Sequence, residues 1–513
     1  MKNRIQTIDG YFSGGIHPMV YIAGLMILHL VVYGADMFHF SLCGDELVET
    51  MEKVPDIYIA QRRWGVALWK EVFGYGYLPY LNVLIFAFIS SLTIWLQTRL
   101  FRFEGTMSQM VYGVAYTACP VWGSLVRISH LTDIFALSML CSTLVVYVLL
   151  RKKTISGIAA SILMMMGAMS LYQTSVFYVA TLWVAWYATQ TLRGERPKFW
   201  AEGIKVGAIV VAGWGSCFVV SCVLRRMGLA SLDVLHMVAN YQNQFSENLR
   251  HVISGSLHEG LANILKNTVL YALGINAIVG GNKVFTHIYY MSGAFCCFCA
   301  CFSFARYNGK QVWTVIATLF LLLAIPYATY LISGGTMVES RMYMCSGLSV
   351  AAMWGFCADL LRENKKAKCV LFAILGMIAL KSIYCEAIMA RDSAWYMEQT
   401  RLQFFKIRDE AARVAEAQGL PSQCRVIWVG DEWPMQKLPV SDALKIAESP
   451  FLGGLVQPFA VKNYAAYFGC GHMEWAWSIP AEMEETVRSM PEWPQPGSVK
   501  RFGDDIIVKV YKR

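Results

Sequence analysis

Apolar residues run through this chain in repeated stretches close to twenty positions long, separated by short polar breaks. A helix rising about 1.5 Å per residue needs about 20 such residues to cross the hydrocarbon core of a bilayer. Helices, not barrel strands, are therefore the expected spanning elements. The pattern predicts about eleven spans, at 18–40, 77–97, 107–125, 133–150, 155–171, 174–192, 204–224, 285–304, 311–332, 341–361 and 369–389. The first follows a polar lead with Lys2 and Arg4, is too long for a signal h-region and lacks a small-residue cleavage site, so it is expected to be retained.

Basic residues between the spans set an orientation. With a cytoplasmic N-terminus, the inside loops hold Arg99 and Arg102, Arg151 to Lys153, Arg193 with Arg196 and Lys198, Arg306 with Lys310, and Arg362 with Lys365, Lys366 and Lys368. The connections at 126–132, 172–173 and 333–340 are poor in Lys and Arg, as outside loops should be. This places loop 41–76 and everything after about 390 outside. Segment 225–284, with Arg225, Arg226, Arg250 and Lys266, is also expected outside; counting its apolar run Thr268 to Gly280 as a span would reverse every later loop.

Beyond residue 390 the pattern changes. Trp395 to Gln418 reads as an amphipathic helix stopped at Gly419-Leu420-Pro421, while Arg425 to Val429 and Asp505 to Tyr511 have strand character. The expected architecture is an all-α polytopic membrane domain over 1–390, carrying a small α/β extracytoplasmic domain over 391–513.

Composition agrees: 56% of the 513 residues are hydrophobic and 15% charged, against about 25% charged in soluble domains. The net charge of +9 sits in loops between spans, which favours membrane orientation over a nucleic-acid partner. Most of the fifteen cysteines lie within apolar spans, where a thiol packs as a small hydrophobe. Cys296, Cys297, Cys299 and Cys301 spread around a helix and do not converge as ligands would. Cys424 and Cys470 fall in the soluble region, where an oxidising compartment would let them pair.

Candidate chemistry begins where the first span ends, at Ser41-Leu-Cys-Gly-Asp45-Glu46-Leu47. Adjacent carboxylates there suit a substrate entering from the bilayer edge, although charge alone favours a solvated acidic helix end with Glu49, Glu52 and Asp56. Residues Tyr58 to Phe73 read as a helix with Ile59, Val66, Leu68, Trp69 and Phe73 available to the membrane and Arg62, Arg63 and Lys70 at polar positions. Such a helix lies along the membrane surface or packs on the bundle as a loop helix.

Taken in order, Asp45-Glu46, Gln61-Arg62-Arg63-Trp64, Ser129-His130-Leu131-Thr132-Asp133, Leu171-Tyr172-Gln173 and Met490-Pro-Glu-Trp-Pro-Gln-Pro-Gly-Ser498 resemble the serotype-converting glucosyltransferase (Gtr) family of the GT-C class. Members often carry two aspartates where this chain has Asp45-Glu46, which leaves the choice of base between these two. The resemblance implies a hexose donor on undecaprenyl phosphate, glucose in the first instance, and an acceptor hydroxyl on a growing surface glycan. It places the enzyme in a bacterial inner membrane with its chemistry outside. A sugar hydroxyl is a poor nucleophile at neutral pH, so a carboxylate takes its proton during attack on the anomeric carbon, and a single displacement inverts that carbon. The departing phosphate needs a fixed cation or a divalent metal such as Mg or Mn. Candidate cations are Arg341, after Ser333-Gly334-Gly335, together with Arg62, Arg63 and Arg127; arginine holds two phosphate oxygens at once. Arg341 at a span end also fits snorkelling to the interface. Asp133 fits a substrate contact or a charge on a helix N-terminus, and Tyr172-Gln173 a sugar contact or a structural turn. The competing class is a lipid-linked glycan flippase or an O-antigen-type polymerase, which would favour charges near the bilayer midplane.

Overall fold

The computed structural model describes residues 16–38, 55–74, 78–103, 105–126, 131–152, 154–195, 198–230, 312–328, 344–361, 364–421, 424–430, 461–476 and 481–510, with short pieces or single positions at 262, 266, 289, 291–296, 298–299 and 479. These fall into two compact units, one containing the described residues up to Ala387 except Phe38, the other containing Phe38 and Ile388 onward.

The first unit is helical: α1 (Pro18–Tyr33), the short α2 (Ala35–Phe38), α3 (Pro55–Ala60), α4 (Trp64–Phe73), α5 (Pro79–Leu100), α6 (Thr106–Thr117), α7 (Pro120–Val126), α8 (Thr132–Arg151), α9 (Ile155–Leu171), α10 (Ser175–Leu192), α11 (Phe199–Arg226), α12 (Val312–Ala324) with a 3-10 turn at Ile325–Ala328, and α13 (Cys345–Leu360). Among the described residues, four helical segments are long and apolar enough to cross a membrane: Tyr80–Leu100, Thr132–Arg151, Phe199–Arg226 and Cys369–Ala417. Pro18–Tyr33, Ile155–Leu171, Trp313–Ala324 and Cys345–Leu360 are shorter apolar helices. The span expected at 107–125 is instead broken into α6 and α7 around Ala118-Cys119. Pro120 is the cause: it lacks an N–H and crowds the preceding turn, yet fits as the first residue of a new helix. The span expected at 285–304 and the run Thr268 to Gly280 lie largely or wholly outside the described residues.

Helix α8 packs against α5, α9 and α10, and α13 against α6. A buried polar network ties α5, α6, α8 and α10. Gln97 donates to Thr143 (3.0 Å) and to the Tyr178 hydroxyl (2.7 Å), Tyr112 donates to Gln97 (2.6 Å), and the Tyr116 and Tyr178 hydroxyls lie 2.6 Å apart. Each shared bond spares a polar group the cost of burial without a partner. Close approach is reserved for glycine: a Cβ on Gly347 of α13 would meet the Trp122 ring at 2.7 Å, and one on Gly355 would meet Phe103 at 2.5 Å.

Helix α14 (Lys365–Ala417) runs from the first unit into the second. The sequence suggested a span and a separate amphipathic helix; the structure joins them, because Ala390-Arg-Asp-Ser-Ala394 contains neither glycine nor proline to break the backbone. It stops where expected. Gly419 takes φ +68°, Leu420 N–H donates to Ala415 O (2.8 Å) and Gly419 N–H to Glu416 O (3.1 Å), which is the Schellman pattern that satisfies the last carbonyls.

The second unit adds β1 (Val426–Val429), α15 (Val461–Tyr467), β2 (Met473–Trp475), α16 (Ala481–Ser489), β3 (Val499–Phe502) and β4 (Asp505–Lys509). The sheet order is β2-β1-β4-β3, with β1 parallel to both neighbours and β3 antiparallel to β4. The β3–β4 hairpin turns through Gly503 at φ +61°, the first position of a two-residue loop that demands positive φ. Phe404, Ile407, Ala411 and Ala415 form one stripe of α14 at three- and four-residue spacing. The stripe shares a core with Trp428, Tyr464, Ile506 and Val508.

Candidate functional site

The ends of the helices sort the polar loops into two groups. At one end, Arg102 pairs with Glu195 (3.1 Å), Arg193 pairs with Asp359 (3.3 Å) and reaches the Arg102 carbonyl, and Arg151 donates to Arg99 O (3.5 Å). Asp133 opens α8 and Arg151 closes it, about 27 Å apart at 1.5 Å per residue, close to the ~30 Å of a hydrocarbon core. The candidate site residues that the structure describes gather at the Asp133 end.

Its centre is the hairpin of α3 and α4, whose connecting turn is Gln61-Arg62-Arg63. Arg62 takes φ +62°, an uncommon conformation for a non-glycine residue, and surrounding side chains hold it there. Three successive carbonyls of the turn accept bonds from other elements. Arg225 of α11 donates to Ala60 O, Gln173 donates to Gln61 O (2.9 Å), and the Cys217 thiol of α11 points to Arg62 O at 3.8 Å. The Arg62 guanidinium lies 4.7 Å from the Phe218 ring centre. Arg63 donates to Leu171 O (3.1 Å) and packs over the rings of Tyr172 (5.3 Å) and Tyr58 (5.7 Å). The motifs Gln61 to Trp64 and Leu171 to Gln173, far apart in sequence, thus form one clasp. Arg63 and Gln173 make it, while Tyr172 is buried with its ring edge-to-face on Phe135 at 4.9 Å.

Helix α4 continues from the clasp and is pressed against α9, where a Cβ on Gly65 would meet Ser170 Oγ at 2.2 Å. The sequence reading offered Ile59, Val66, Leu68, Trp69 and Phe73 to the membrane; the structure divides them. Ile59, Val66 and Lys70 are buried, whereas Leu68, Val72 and Phe73 are exposed. The reason is helical phase: Val66 and Lys70, four apart, share a face, and Leu68 with Val72 share the opposite one. Lys70 is 3% exposed despite its charge.

Beside it, Trp69 donates its indole N–H to Asp133 Oδ2 at 2.6 Å, and the Ile134 amide donates to Oδ1 at 3.0 Å. Lys70 is near enough to act on this carboxylate electrostatically. A carboxylate only 4% exposed is thereby held by two donors and a neighbouring cation, as a buried charge requires. Trp69 and Lys70 were not singled out as site residues from sequence. The signal available was Lys70 four residues after Val66 on a helix whose other face is apolar. Asp45, Glu46, Arg127, His130 and Arg341 lie outside the described residues. No grouping of three or more His, Cys, Asp or Glu side chains fit to hold a metal occurs among the described residues.

The model of the family described as glucosyl transferase GtrII matches residues 34–358, more than half of the chain. The chain belongs to this family. It is thus a membrane glycosyltransferase, which decides against the flippase and polymerase readings. The matched region contains the whole clasp, Trp69, Lys70 and Asp133, and also the positions of Asp45, Glu46, Arg127 and Arg341. It stops short of Ile388 and all that follows, including the Met490 to Ser498 motif. That segment is fastened to the sheet: Trp493 N–H donates to Lys509 O (2.8 Å), and Lys509 Nζ donates to Met490 O (2.6 Å). A comparison with curated proteins gives no match.

Proposed function

We propose that this transferase moves a hexose, glucose in the first instance, from a polyprenyl-phosphate donor to a hydroxyl of a surface glycan, on the extracytoplasmic side of a bacterial inner membrane. The observation that carries the proposal is the buried Trp69–Asp133–Lys70 group at one end of a membrane-length helix, in a chain of the glucosyl transferase GtrII family. Charged side chains kept from water at a helix end suit a substrate whose reacting group sits at the bilayer surface and whose tail stays in lipid.

In this reading the N-terminus is cytoplasmic, and the Asp133 end of α8 and the C-terminal unit are outside. Asp45 or Glu46, following the first helix, takes the acceptor proton as its oxygen attacks the anomeric carbon. The bond from that carbon to the phosphate oxygen breaks, the lipid phosphate leaves with the electron pair, and the configuration inverts. The charge gained by the phosphate is met by Arg341, supported by Arg127 or by the basic side chains near the clasp, or by a bound Mg or Mn ion. Arg62 and Arg63 already hold the clasp together, so their first effect is to fix α4 and with it Asp133.

The test uses protein in nanodiscs supplied with polyprenyl-phosphate glucose and an acceptor oligosaccharide. Asp45→Asn abolishes transfer with folding intact, and Glu46→Gln is milder. Full activity in Asp45→Asn removes Asp45 as base.

A further inference from the structure

The second unit contains a cleft of about 590 Å³, a size within the ~300–1,000 Å³ usual for small-ligand sites. Its walls are Phe38, Met397, Phe405, Tyr467 and Phe468, with Glu398 and Arg401 at its polar side. Two walls are open to solvent, Phe38 at 76% and Tyr467 at 38% exposure. Arg401 and Glu398 are locked in a two-pronged pair of 2.9 and 2.7 Å, one turn apart on α14. The Arg401 guanidinium stands 5.6 Å from the Phe405 ring centre, and Arg408 covers the same ring at 4.8 Å.

A pyranose has apolar C–H faces and a rim of hydroxyls, and this cleft presents the complement of both. Aromatic rings with few rotatable bonds offer flat apolar area at low entropic cost. The guanidinium uses Nε and one Nη toward Glu398, so its remaining N–H groups can donate to hydroxyls while the carboxylate accepts from them. Such an exposed ion pair adds little to stability, and its fixed geometry is better suited to recognition. Phe38 also tethers the cleft to the proposed chemistry. Asp45 follows it by seven residues of chain, which span at most about 25 Å fully extended, a reach of a few sugar units.

We infer that this cleft binds the acceptor, a neutral surface oligosaccharide, by stacking on Tyr467 and hydrogen bonding to Arg401 and Glu398. The inference rests on the glycosyl-transfer reading and adds the place where the acceptor docks. Binding of oligosaccharide released by mild acid from the producing cell's surface glycan is measured by calorimetry on the full chain in nanodiscs without donor. Because no turnover is needed, the result is independent of whether the proposed transfer reaction is correct. Wild type binds; Tyr467→Ala and Arg401→Ala each weaken binding at least tenfold, and Tyr467→Phe retains most of it. Equal thermal stability of the four proteins excludes misfolding as the cause. In transfer assays the alanine variants raise the acceptor KM with the donor KM unchanged. No binding by wild type, wild-type binding in both alanine variants, or a loss seen only for phosphatidylglycerol vesicles used as probe overturns the inference, the last assigning the cleft to lipid.

Discussion

Replacing Trp69 by phenylalanine tests whether the indole holds Asp133 in place. Phenylalanine keeps an aromatic ring against Phe73, now 4.1 Å from Trp69 between ring centres, and removes chiefly the 2.6 Å donor to Asp133. The carboxylate is 4% exposed, so water cannot readily replace the lost bond. Leaving a buried charged acceptor short of a donor costs about 1–3 kcal/mol, a five- to 150-fold change at about 1.4 kcal/mol per tenfold. Asp133→Asn weakens the same contact from the other side. The double variant should lose less than the sum of the single losses, by about 0.5–3 kcal/mol, as coupled partners do. The assay is reversible unfolding in mixed detergent followed by circular dichroism, with transfer activity measured in parallel; both single variants lose activity about tenfold or more. Strictly additive losses, or wild-type activity in Trp69→Phe, refute the assignment of this contact to the working site.

Gly65→Val destabilises by about 1–3 kcal/mol through overpacking against Ser170 and lowers transfer by lifting α4, read by thermal denaturation and turnover together; unchanged values contradict the close contact of α4 with α9. Arg341→Ala loses transfer and Arg341→Lys recovers only part, in steady-state kinetics against varied donor, because lysine lacks the two-pronged fork. Wild-type kinetics in Arg341→Ala would hand the phosphate to another cation. Cys424 and Cys470 are free, unbridged thiols in the structure, and burial pushes Cys470 up to about 11, so iodoacetamide labels it slowly at pH 8 in folded, reduced protein and about tenfold faster per pH unit up to that value. Since the folded state holds this proton more tightly than the unfolded one, stability falls as pH rises from about 9 toward 11. Fast labelling at pH 8 contradicts the burial of Cys470.

Much of the membrane unit was legible because its signals are local and periodic. Runs of apolar residues locate α5, α8, α9 and α10 to within a few positions, and Gly419 marks the end of α14 through its own backbone requirement. Val426 to Val429 and Asp505 to Lys509 betray themselves by β-branched runs. What sequence misjudged depends on contacts between distant segments. The face that α4 turns inward is set by Gly65 meeting Ser170, and the same phase buries Lys70 near Asp133, far along the chain. Likewise the clasp of Arg63 on Leu171 and Gln173 on Gln61 is invisible until α3 and α9 are placed together, although both motifs were visible as words. The cleft of Tyr467 and Arg401 depends on the fold of the second unit, which has no periodic signature for such a pairing.

The most direct test of the account is transfer itself, with purified protein in nanodiscs, synthetic polyprenyl-phosphate glucose and surface-glycan oligosaccharide, and the product examined by mass spectrometry and NMR. The account predicts one added hexose, linked with the anomeric configuration opposite to that of the donor and absent from the Asp45→Asn reaction. A product that retains the donor configuration, or equal product from Asp45→Asn, contradicts it.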